Sequence, residues 1–454
     1  MKRNVAIILA MLLSSFVLYA QNDSLQIRRI FNQILSNGMC YSRLDYLSNQ
    51  IGGRLSGSVA AERAVKFTFE TLKKEGFDSV WLQPVMVPHW VRGAKEVAWF
   101  KGKNGRSIVA VCALGGSCGT DKQGITANII EVKSLQEVSD LGEKVRGKIV
   151  FYNRPMNPLF IKTFDAYSDA VDQRAMGAVA ASKFGAVGVI VRSMGSNVDK
   201  NPHTGMMRVQ ADVKQIPACA ISTYDAELLS AALLADKDLK FYLKMNCETL
   251  PDVLSYNVIA QINGTEKSEE IILVGGHLDS WDNGDGAHDD GAGCVQSMEV
   301  LHTFKSLGIK PKRSIRCVLF MNEENGARGG TAYANYAKEN KLIHLAAIES
   351  DAGGFTPRNF GATTTEDKLR SLRGYAPLLQ AYGIEEVLAS GGGVDIGPLK
   401  EQGTCLIGFG PDSQRYFDIH HTAVDIFDKV NKRELELGAG NIAALVWLIS
   451  EYGL

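Results

Sequence analysis

The sequence carries no excess of charge of either sign. Its 454 residues include 49 Lys and Arg against 50 Asp and Glu, which gives a formal net charge of −1. No global positive field therefore draws the chain to nucleic acid or to an anionic membrane, and no run of Lys or Arg supplies a local one. The 12 prolines and the 45% of hydrophobic residues exclude a disordered or collagen-like chain. The composition indicates a globular protein of about two or three domains.

Cysteine is also scarce, with eight residues in the whole chain and none in a CxxC pair. So few cysteines exclude a disulfide-based scaffold, although an exported protein could form one or two bridges. Cys112 and Cys118 are close enough in sequence to close a small loop, and scattered buried thiols are the equally supported alternative. We expect the stability of the chain to come from its hydrophobic core rather than from cross-links.

A long apolar run occurs only at the N-terminus. Lys2 and Arg3 precede an apolar run over residues 5–18, and Ala20 then meets a polar stretch. The run is shorter than the ~20 residues that a spanning helix needs, and the pattern is typical of a secretory signal peptide. We predict a signal peptide over residues 1–20, with an uncleaved anchor as the alternative. The mature protein would be exported, periplasmic or secreted, with no membrane association.

Two stretches of different texture follow. Residues 21–106 contain two amphipathic helical patterns and then a β-rich segment, which predicts the N-terminal part of one domain. Residues 107–248 consist of short β-rich runs separated by Gly-rich turns, with one helical pattern over 169–184. They predict a small β-rich domain inserted into the first one, with an ordinary β-sandwich-like insert as the alternative.

Strand, loop and helix patterns alternate in the last part of the chain. Residues 249–454 are therefore predicted to form the C-terminal part of the main domain. Continuous apolar strands that alternate with helices are typical of parallel sheets buried on both faces. We predict an α/β fold with a mostly parallel sheet and helices on both of its faces. The predicted strands cover 271–275, 315–321, 345–349 and 404–409, and the predicted helices cover 293–307, 329–339 and 433–451.

Histidines and carboxylates stand at the ends of these predicted strands, where open α/β sheets bind ligands. Each group alone is more often a solvated surface feature, but their joint placement at successive strand ends favours a metal site. One histidine and one carboxylate per ion, with a further carboxylate shared, would hold two divalent ions, and nitrogen and oxygen ligands favour zinc. The residues are His277, Asp279, Asp289, Asp290, Glu323, Glu324, Asp351, His420 and His421.

The same residues lie in ordered motifs that resemble those of family M28 zinc peptidases with a protease-associated insert. Within residues 107–248, Gly147–Phe151 and Gly185–Val191 resemble a protease-associated domain. The resemblance covers essentially the whole mature chain and implies an M28 peptidase-like core. The other motifs are Arg54–Ser58, Pro88–Gly93, Gly275–Trp281, Asp289–Gly293, Asn322–Glu324, Glu349–Gly353 and His420–Thr422.

The resemblance implies a centre with two zinc ions. The residues alone leave open whether His420 or His421 binds metal, and the family pattern His-Thr-x-x-Asp selects His421. The resemblance also implies that the peptide between Asp289 and Asp290 is cis. The implied ligands are His277 and Asp351 for one ion, Glu324 and His421 for the other, and Asp289 as the bridge between them.

The reaction that the resemblance implies is hydrolysis of a peptide bond. A water molecule shared by the two ions would be the nucleophile, Glu323 its general base, and Asp279 would orient a ligating histidine. We therefore expect an exported dizinc exopeptidase, an aminopeptidase, carboxypeptidase or dipeptidase, that acts on dipeptides or short peptides. The resemblance also suggests a homodimer. The alternatives are a non-catalytic receptor-like binding protein of the same fold and a single-zinc cyclase-like relative.

Overall fold

The computed structural model describes residues 22–102 and 105–454, and the predicted signal peptide over residues 1–20 lies outside them. Two sheets, each of eight strands, organise this part of the chain. None of its helices combines the length and the hydrophobicity needed to cross a membrane. All eight cysteines are free thiols, seven of them buried.

The regular elements alternate along the chain. The strands are β1 (Ser79–Val91), β2 (Val97–Gly102), β3 (Gly105–Val109), β4 (Val111–Ala113), β5 (Ile125–Val132), β6 (Ile149–Tyr152), β7 (Gly188–Arg192), β8 (Ala218–Ile221), β9 (Lys240–Lys244), β10 (Glu248–Ile262), β11 (Lys267–His277), β12 (Arg313–Phe320), β13 (Ile343–Glu349), β14 (Pro357–Thr363), β15 (Glu386–Leu388) and β16 (Cys405–Pro411). The α-helices are α1 (22–37), α2 (Cys40–Asp45), α3 (Val59–Glu75), α4 (Leu135–Leu141), α5 (Thr163–Ala170), α6 (Asp172–Lys183), α7 (Thr223–Ala235), α8 (Ala292–Ser306), α9 (Arg328–Glu339), α10 (Glu366–Leu379) and α11 (Lys432–Tyr452).

The first sheet has the strand order β1-β10-β12-β11-β13-β16-β14-β15. Its central strands β12, β11, β13 and β16 run parallel, whereas β1 with β10, β10 with β12, and β14 with β16 are antiparallel. The prediction of a mostly parallel sheet is therefore only partly right, because the sheet is mixed. The reason is that β1 leads out to the second sheet and β10 returns from it, so these two long strands lie side by side in opposite directions.

Helices cover both faces of the first sheet, as predicted. Ile272 and Val274 of β11 belong to a core shared with α8 and α11, whereas Leu273 between them packs in a cluster with Tyr333 of α9. Because side chains alternate across a strand, β11 is buried on both faces from Ile271 onwards, and its sequence there is a continuous apolar run up to His277. This double burial fixes the strand whose last residue is His277.

The second sheet has the order β3-β2-β9-β5-β6-β7-β8-β4 and takes its strands from between Val97 and Lys244. The sequence predicts one helix here, over 169–184, where the structure has α5 and α6. It also has α4 and α7, so this part of the chain is mixed α and β rather than β-rich. The sequence of α7 carries Ala and Leu around most of its circumference and lacks a polar face that would reveal its period. The protease-associated assignment and the domain divisions at residues 106 and 248 stay predictions.

Candidate metal centre

The candidate metal centre lies at the carboxyl edge of the parallel strands in the first sheet. His277 is the last residue of β11, Glu323–Glu324 follow β12, and Asp351 follows β13. Because these three strands are parallel, their carboxyl ends meet at one edge of the sheet. Asp289 reaches this edge from the turn before α8, and His421 reaches it from the loop that follows β16.

Asp289 occupies the middle of the centre and directs one carboxylate oxygen towards each of two histidines. Its Oδ1 is 3.2 Å from Nε2 of His277, and its Oδ2 is 3.2 Å from Nε2 of His421. Asp351 Oδ1 lies 3.3 Å from Nε2 of His277, and Glu324 Oε2 lies 3.1 Å from Nε2 of His421. The structure thus brings the five predicted ligands together as two sets that share Asp289.

The surroundings of both imidazoles fit a bound metal. Nδ1 of His277 is 3.0 Å from the main-chain carbonyl oxygen of Asp279, and Nδ1 of His421 is 3.3 Å from that of Thr204. A carbonyl oxygen only accepts hydrogen bonds, so Nδ1 of each ring carries a proton, and loss of the Nε2 proton would leave a lone pair facing the carboxylate oxygens. A cation placed between these groups would satisfy all of them, and nitrogen and oxygen donors of this kind suit zinc.

Without a cation, the pKa values of His421 and Glu324 are raised, so both groups bind protons more readily. Burial opposes the charged form of His421, but attraction by Glu324 and Asp289 outweighs burial and raises the pKa of His421 to about 10. Burial, with repulsion from Asp289 acting in the same direction, raises the pKa of Glu324 to about 7. A divalent cation would displace these protons, as ligand deprotonation on metal binding requires.

Glu323 lies beside the five predicted ligands but further from the histidines than they do. Its Oε2 is 3.9 Å from Nε2 of His277, and 18% of its side chain is exposed, against 2% for the neighbouring Glu324. Burial, with repulsion from Asp351 and Glu324, raises the pKa of Glu323 well above its ordinary value. A partly exposed carboxylate with a raised pKa beside the donors is suited to accept a proton and to return it.

Asp279 holds the backbone of the loop that carries the two glutamates. Its carboxylate accepts hydrogen bonds from the N–H groups of Asn322 (2.7 Å), Glu323 (3.0 Å) and Glu324 (3.4 Å). The same carboxylate is 4.0 Å from Nδ1 of His277, further away than the main-chain carbonyl oxygen of Asp279 at 3.0 Å. Asp279 therefore contacts His277 mainly through the backbone and contacts the glutamate loop through its side chain.

His420 packs against the centre from one side. Its ring stacks on His421 with centroids 3.5 Å apart and meets the ring of Phe417 at 5.2 Å. Its Nε2 is 3.7 Å from Asp289 Oδ2, so Asp289, His420 and His421 also offer ligand atoms within 4.8 Å of one another. Burial, with repulsion from His421, holds the pKa of His420 well below its ordinary value. The choice of His421 as the ligand stays a prediction.

Asp290 connects the two elements on which the centre is built. The peptide between Asp289 and Asp290 is cis, as the family resemblance implies. Oδ1 of Asp290 accepts a hydrogen bond from the N–H of Gly293 (2.9 Å), and its Oδ2 accepts one from the N–H of His277 (3.1 Å). Its carboxylate thereby joins the end of β11 to the start of α8.

The sequence analysis missed Arg174, which lies on α6 and reaches the centre from the second sheet. Its side chain is buried, its guanidinium lies 5.4 Å from the ring centroid of Tyr167, and its Nη1 is 3.5 Å from the carbonyl oxygen of Thr204. Among the described residues, Nε has no hydrogen-bond partner and no carboxylate pairs with the guanidinium. A buried cation without an anionic partner is costly in free energy. An Arg within the Ala-rich helical pattern over 169–184 is therefore the sequence feature that could have pointed to Arg174.

Donor sets of this kind are typical of metal-dependent hydrolases, in which bound divalent ions activate water. Comparisons with known proteins narrow the class. Residues 257–446 match the family model described as Peptidase family M28. The chain is 36% identical over 412 residues to carboxypeptidase Q of Homo sapiens, covering 91% of this chain and 84% of that protein. The chain belongs to peptidase family M28 and is a metallopeptidase, as its motifs predict.

Solved structures support the same assignment at the level of the fold. A peptidase M28 precursor from Shewanella amazonensis SB2B superposes with a TM-score of 0.91 at 33% identity, covering 95% of this chain and 97% of that one. A zinc aminopeptidase from Bacillus subtilis superposes with a TM-score of 0.63 at 21% identity, covering 90% and 94% of the two chains. The second likeness, at 21% identity, shows a shared fold alone.

Proposed function

We propose that this chain is an exported dizinc exopeptidase that hydrolyses dipeptides or short peptides. The observation that carries the proposal is the placement of Asp289, whose two carboxylate oxygens are each 3.2 Å from Nε2 of a different histidine. A carboxylate shared in this way, with one further carboxylate beside each histidine, matches the donor set that two adjacent ions need.

His277 and Asp351 would hold one zinc ion, Glu324 and His421 the other, with Asp289 common to both. Bound zinc would lower the pKa of water and polarise the scissile carbonyl group. Glu323 would accept a proton from the attacking water and deliver it to the leaving amine, a role supported by its raised pKa and partial exposure.

The charge near the centre supports recognition of the C-terminal end of the substrate. Arg174 is a buried cation without an anionic partner among the described residues, and the α-carboxylate of a peptide would supply that partner. A residue spans at most about 3.6 Å, so the C-terminal carboxylate of a dipeptide lies close to the bond that is cleaved. We infer that substrates carry a free C-terminus, which agrees with the name of the human relative.

The proposal also includes export of the protein and its assembly into a homodimer. The charged residues Lys2 and Arg3, followed by the short apolar run over 5–18, support a cleaved signal peptide. Mass spectrometry of the mature protein checks this point, because cleavage near Ala20 leaves Gln21 as the first residue. The homodimer implied by the family resemblance is checked by size-exclusion chromatography with light scattering, which gives the molar mass of the purified protein.

The experiment that tests the proposal is Glu323→Gln, measured with zinc analysis and dipeptide hydrolysis together. We expect the variant to retain two zinc ions and to lose about 10²–10⁴-fold in kcat, because general base catalysis contributes that much. Glu401→Gln, at an exposed position, is the matched control and should keep full activity. Retained activity in Glu323→Gln would contradict the base role, and a wild-type protein with zinc but no peptidase activity would favour the receptor-like alternative.

A further inference from the structure

We call the residues between Val97 and Lys244, which form the second sheet, the second-sheet part of the chain. A short segment of it, His203–Gly205, contacts the metal centre directly. The N–H of Thr204 donates a hydrogen bond to the carbonyl oxygen of His421 at 2.9 Å, and the carbonyl oxygen of Thr204 accepts one from Nδ1 of His421 at 3.3 Å. These two contacts link residues that are 217 positions apart. The first fixes the backbone of His421, and the second fixes the rotation and the proton position of its ring.

The segment is itself held from the side of the second sheet. Thr204 Oγ1 donates to the carbonyl oxygen of Ala113 at 2.8 Å, and the N–H of Gly115 donates to the carbonyl oxygen of Gly205 at 2.9 Å. The N–H of His203 donates to Oγ of Ser193 at 2.8 Å. Thr204 is fully buried. The carbonyl group that meets His421 is therefore held from the second sheet as well as by the loop that carries His421.

Gly205 provides the space that this contact needs. Its φ is +133°, and a Cβ at this position would lie 2.8 Å from Nδ1 of His421 and would also overlap the guanidinium of Arg174. Both the backbone conformation and the free volume therefore require glycine. A methyl group here would push on the ring of His421 from the side opposite to Asp289 and Glu324.

We propose that Thr204 is a positioning residue of the metal centre, through which the second-sheet part of the chain sets the zinc affinity of the His421 site. The inference rests on the proposed function, because it takes His421 as a zinc ligand. With Nδ1 bonded to the Thr204 carbonyl, the proton stays on Nδ1 and Nε2 is left to bind metal. Partners of this kind orient ligating histidines, and their loss typically weakens metal binding by about 10–100-fold. The second-sheet part thus contributes a contact to a metal ligand and does not only enclose the site.

The first test compares Gly205→Ala with Gly147→Ala. Gly147 also has a left-handed φ, +71°, but a Cβ there meets no atom within 4 Å, so it reproduces the backbone strain far from the centre. Zinc affinity is measured by competition with a chromophoric chelator, and the geometry is followed through the visible spectrum of the cobalt-substituted protein. We expect Gly205→Ala to lower the affinity for one of the two zinc ions about 10-fold or more and to alter the cobalt spectrum. Gly147→Ala should lower only the melting temperature.

The second test uses the Thr204 hydroxyl, which anchors the segment to Ala113. Thr204→Val removes the hydroxyl at nearly constant volume and should lower the affinity for the same zinc ion. Thr204→Ser keeps the hydroxyl and should bind that ion as tightly as the wild type. Circular dichroism verifies that each variant is folded. Wild-type affinity and an unchanged cobalt spectrum in both Gly205→Ala and Thr204→Val would overturn the inference, as would an equal loss of affinity in Gly147→Ala.

Failure of the proposed function gives a different result. The readout here is metal binding, so a wild-type protein that binds two zinc ions but cleaves no peptide would contradict the peptidase proposal without changing the order of these affinities. A wild-type protein that binds no zinc would overturn both.

Discussion

At the scale of single residues, His420 and His421 are chain neighbours with stacked rings whose Nε2 atoms lie at different distances from Asp289 Oδ2. Nε2 of His421 is 3.2 Å from Asp289 Oδ2 and 3.1 Å from Glu324 Oε2, while Nε2 of His420 is 3.7 Å from Asp289 Oδ2. We expect His421→Ala to lose one of two zinc ions by elemental analysis and His420→Ala to keep both. Loss of zinc from His420→Ala with retention by His421→Ala would show that the roles are reversed.

Arg174 carries a second prediction at this scale. If its guanidinium binds the substrate carboxylate, Arg174→Met should lower kcat/KM for a free dipeptide by about 30-fold or more, since removing one partner of a buried charge pair costs about 2–5 kcal/mol. The same variant should change hydrolysis of the C-terminal amide little. Arg146→Met, an exposed arginine in the same part of the chain, is the control. An equal loss on the acid and on the amide would contradict a carboxylate-binding role.

At the scale of elements, the loop between β11 and α8 is tied at both ends by Arg54. This fully buried arginine donates to the carbonyl oxygens of Leu278 (2.5 Å), Asp285 (2.8 Å) and Gly286 (2.9 Å). These oxygens lie just after His277 and shortly before Asp289. The guanidinium therefore fixes the separation between two of the proposed ligands, although they come from the two ends of a loop.

Replacing this arginine should damage the loop as a unit. Arg54→Met removes the arginine donor from the carbonyl oxygens of Leu278 and Asp285, whereas that of Gly286 still accepts from the N–H of Gly291. We expect the free energy of unfolding in urea to fall by about 2–4 kcal/mol, at about 1–3 kcal/mol for each buried group left unpaired. Arg370→Met, at an exposed surface pair, should change it by less than about 0.5 kcal/mol. A change in Arg54→Met as small as in the control would contradict the bracing role.

The elements that the sequence could predict are those whose signal is local. The strands β11, β12, β13 and β16 and the helices α8, α9 and α11 follow from apolar runs and periodicity, and the donors follow directly at the strand ends. The antiparallel pairing of β1 with β10 could not be predicted, because it depends on where the chain returns after the second sheet. The short strand β15 and the helix α4 carry too few residues to show a period.

The same distinction applies to the centre. His277, Glu324 and Asp351 could be proposed because each lies in a motif at the end of its own strand, and Asp289 because its motif opens α8. The contacts of Arg174 and Thr204 with the centre come from tertiary packing between distant parts of the chain, and neither residue type identifies such a contact by itself. Asp279 illustrates the intermediate case, since its position suggested a link to His277, whereas its bonds to three successive N–H groups are visible only in the fold.

At the scale of the whole molecule, the centre joins segments that are far apart in sequence and should couple metal binding to global stability. A ligand that binds only the folded state at about 1,000 times its Kd adds about 4 kcal/mol. We therefore expect removal of zinc by a chelator to lower the melting temperature and to abolish peptidase activity, with both restored by adding zinc and neither by adding magnesium. An unchanged melting temperature after verified zinc removal would contradict this coupling.

The central claim is that folding assembles two metal sites that share Asp289. The most direct measurement is anomalous diffraction at the zinc edge from crystals of the zinc-loaded protein. The account predicts two peaks, about 3.5–4 Å apart, on either side of the Asp289 carboxylate, one beside His277 and Asp351 and the other beside His421 and Glu324. A single peak, or peaks at other residues, would contradict it.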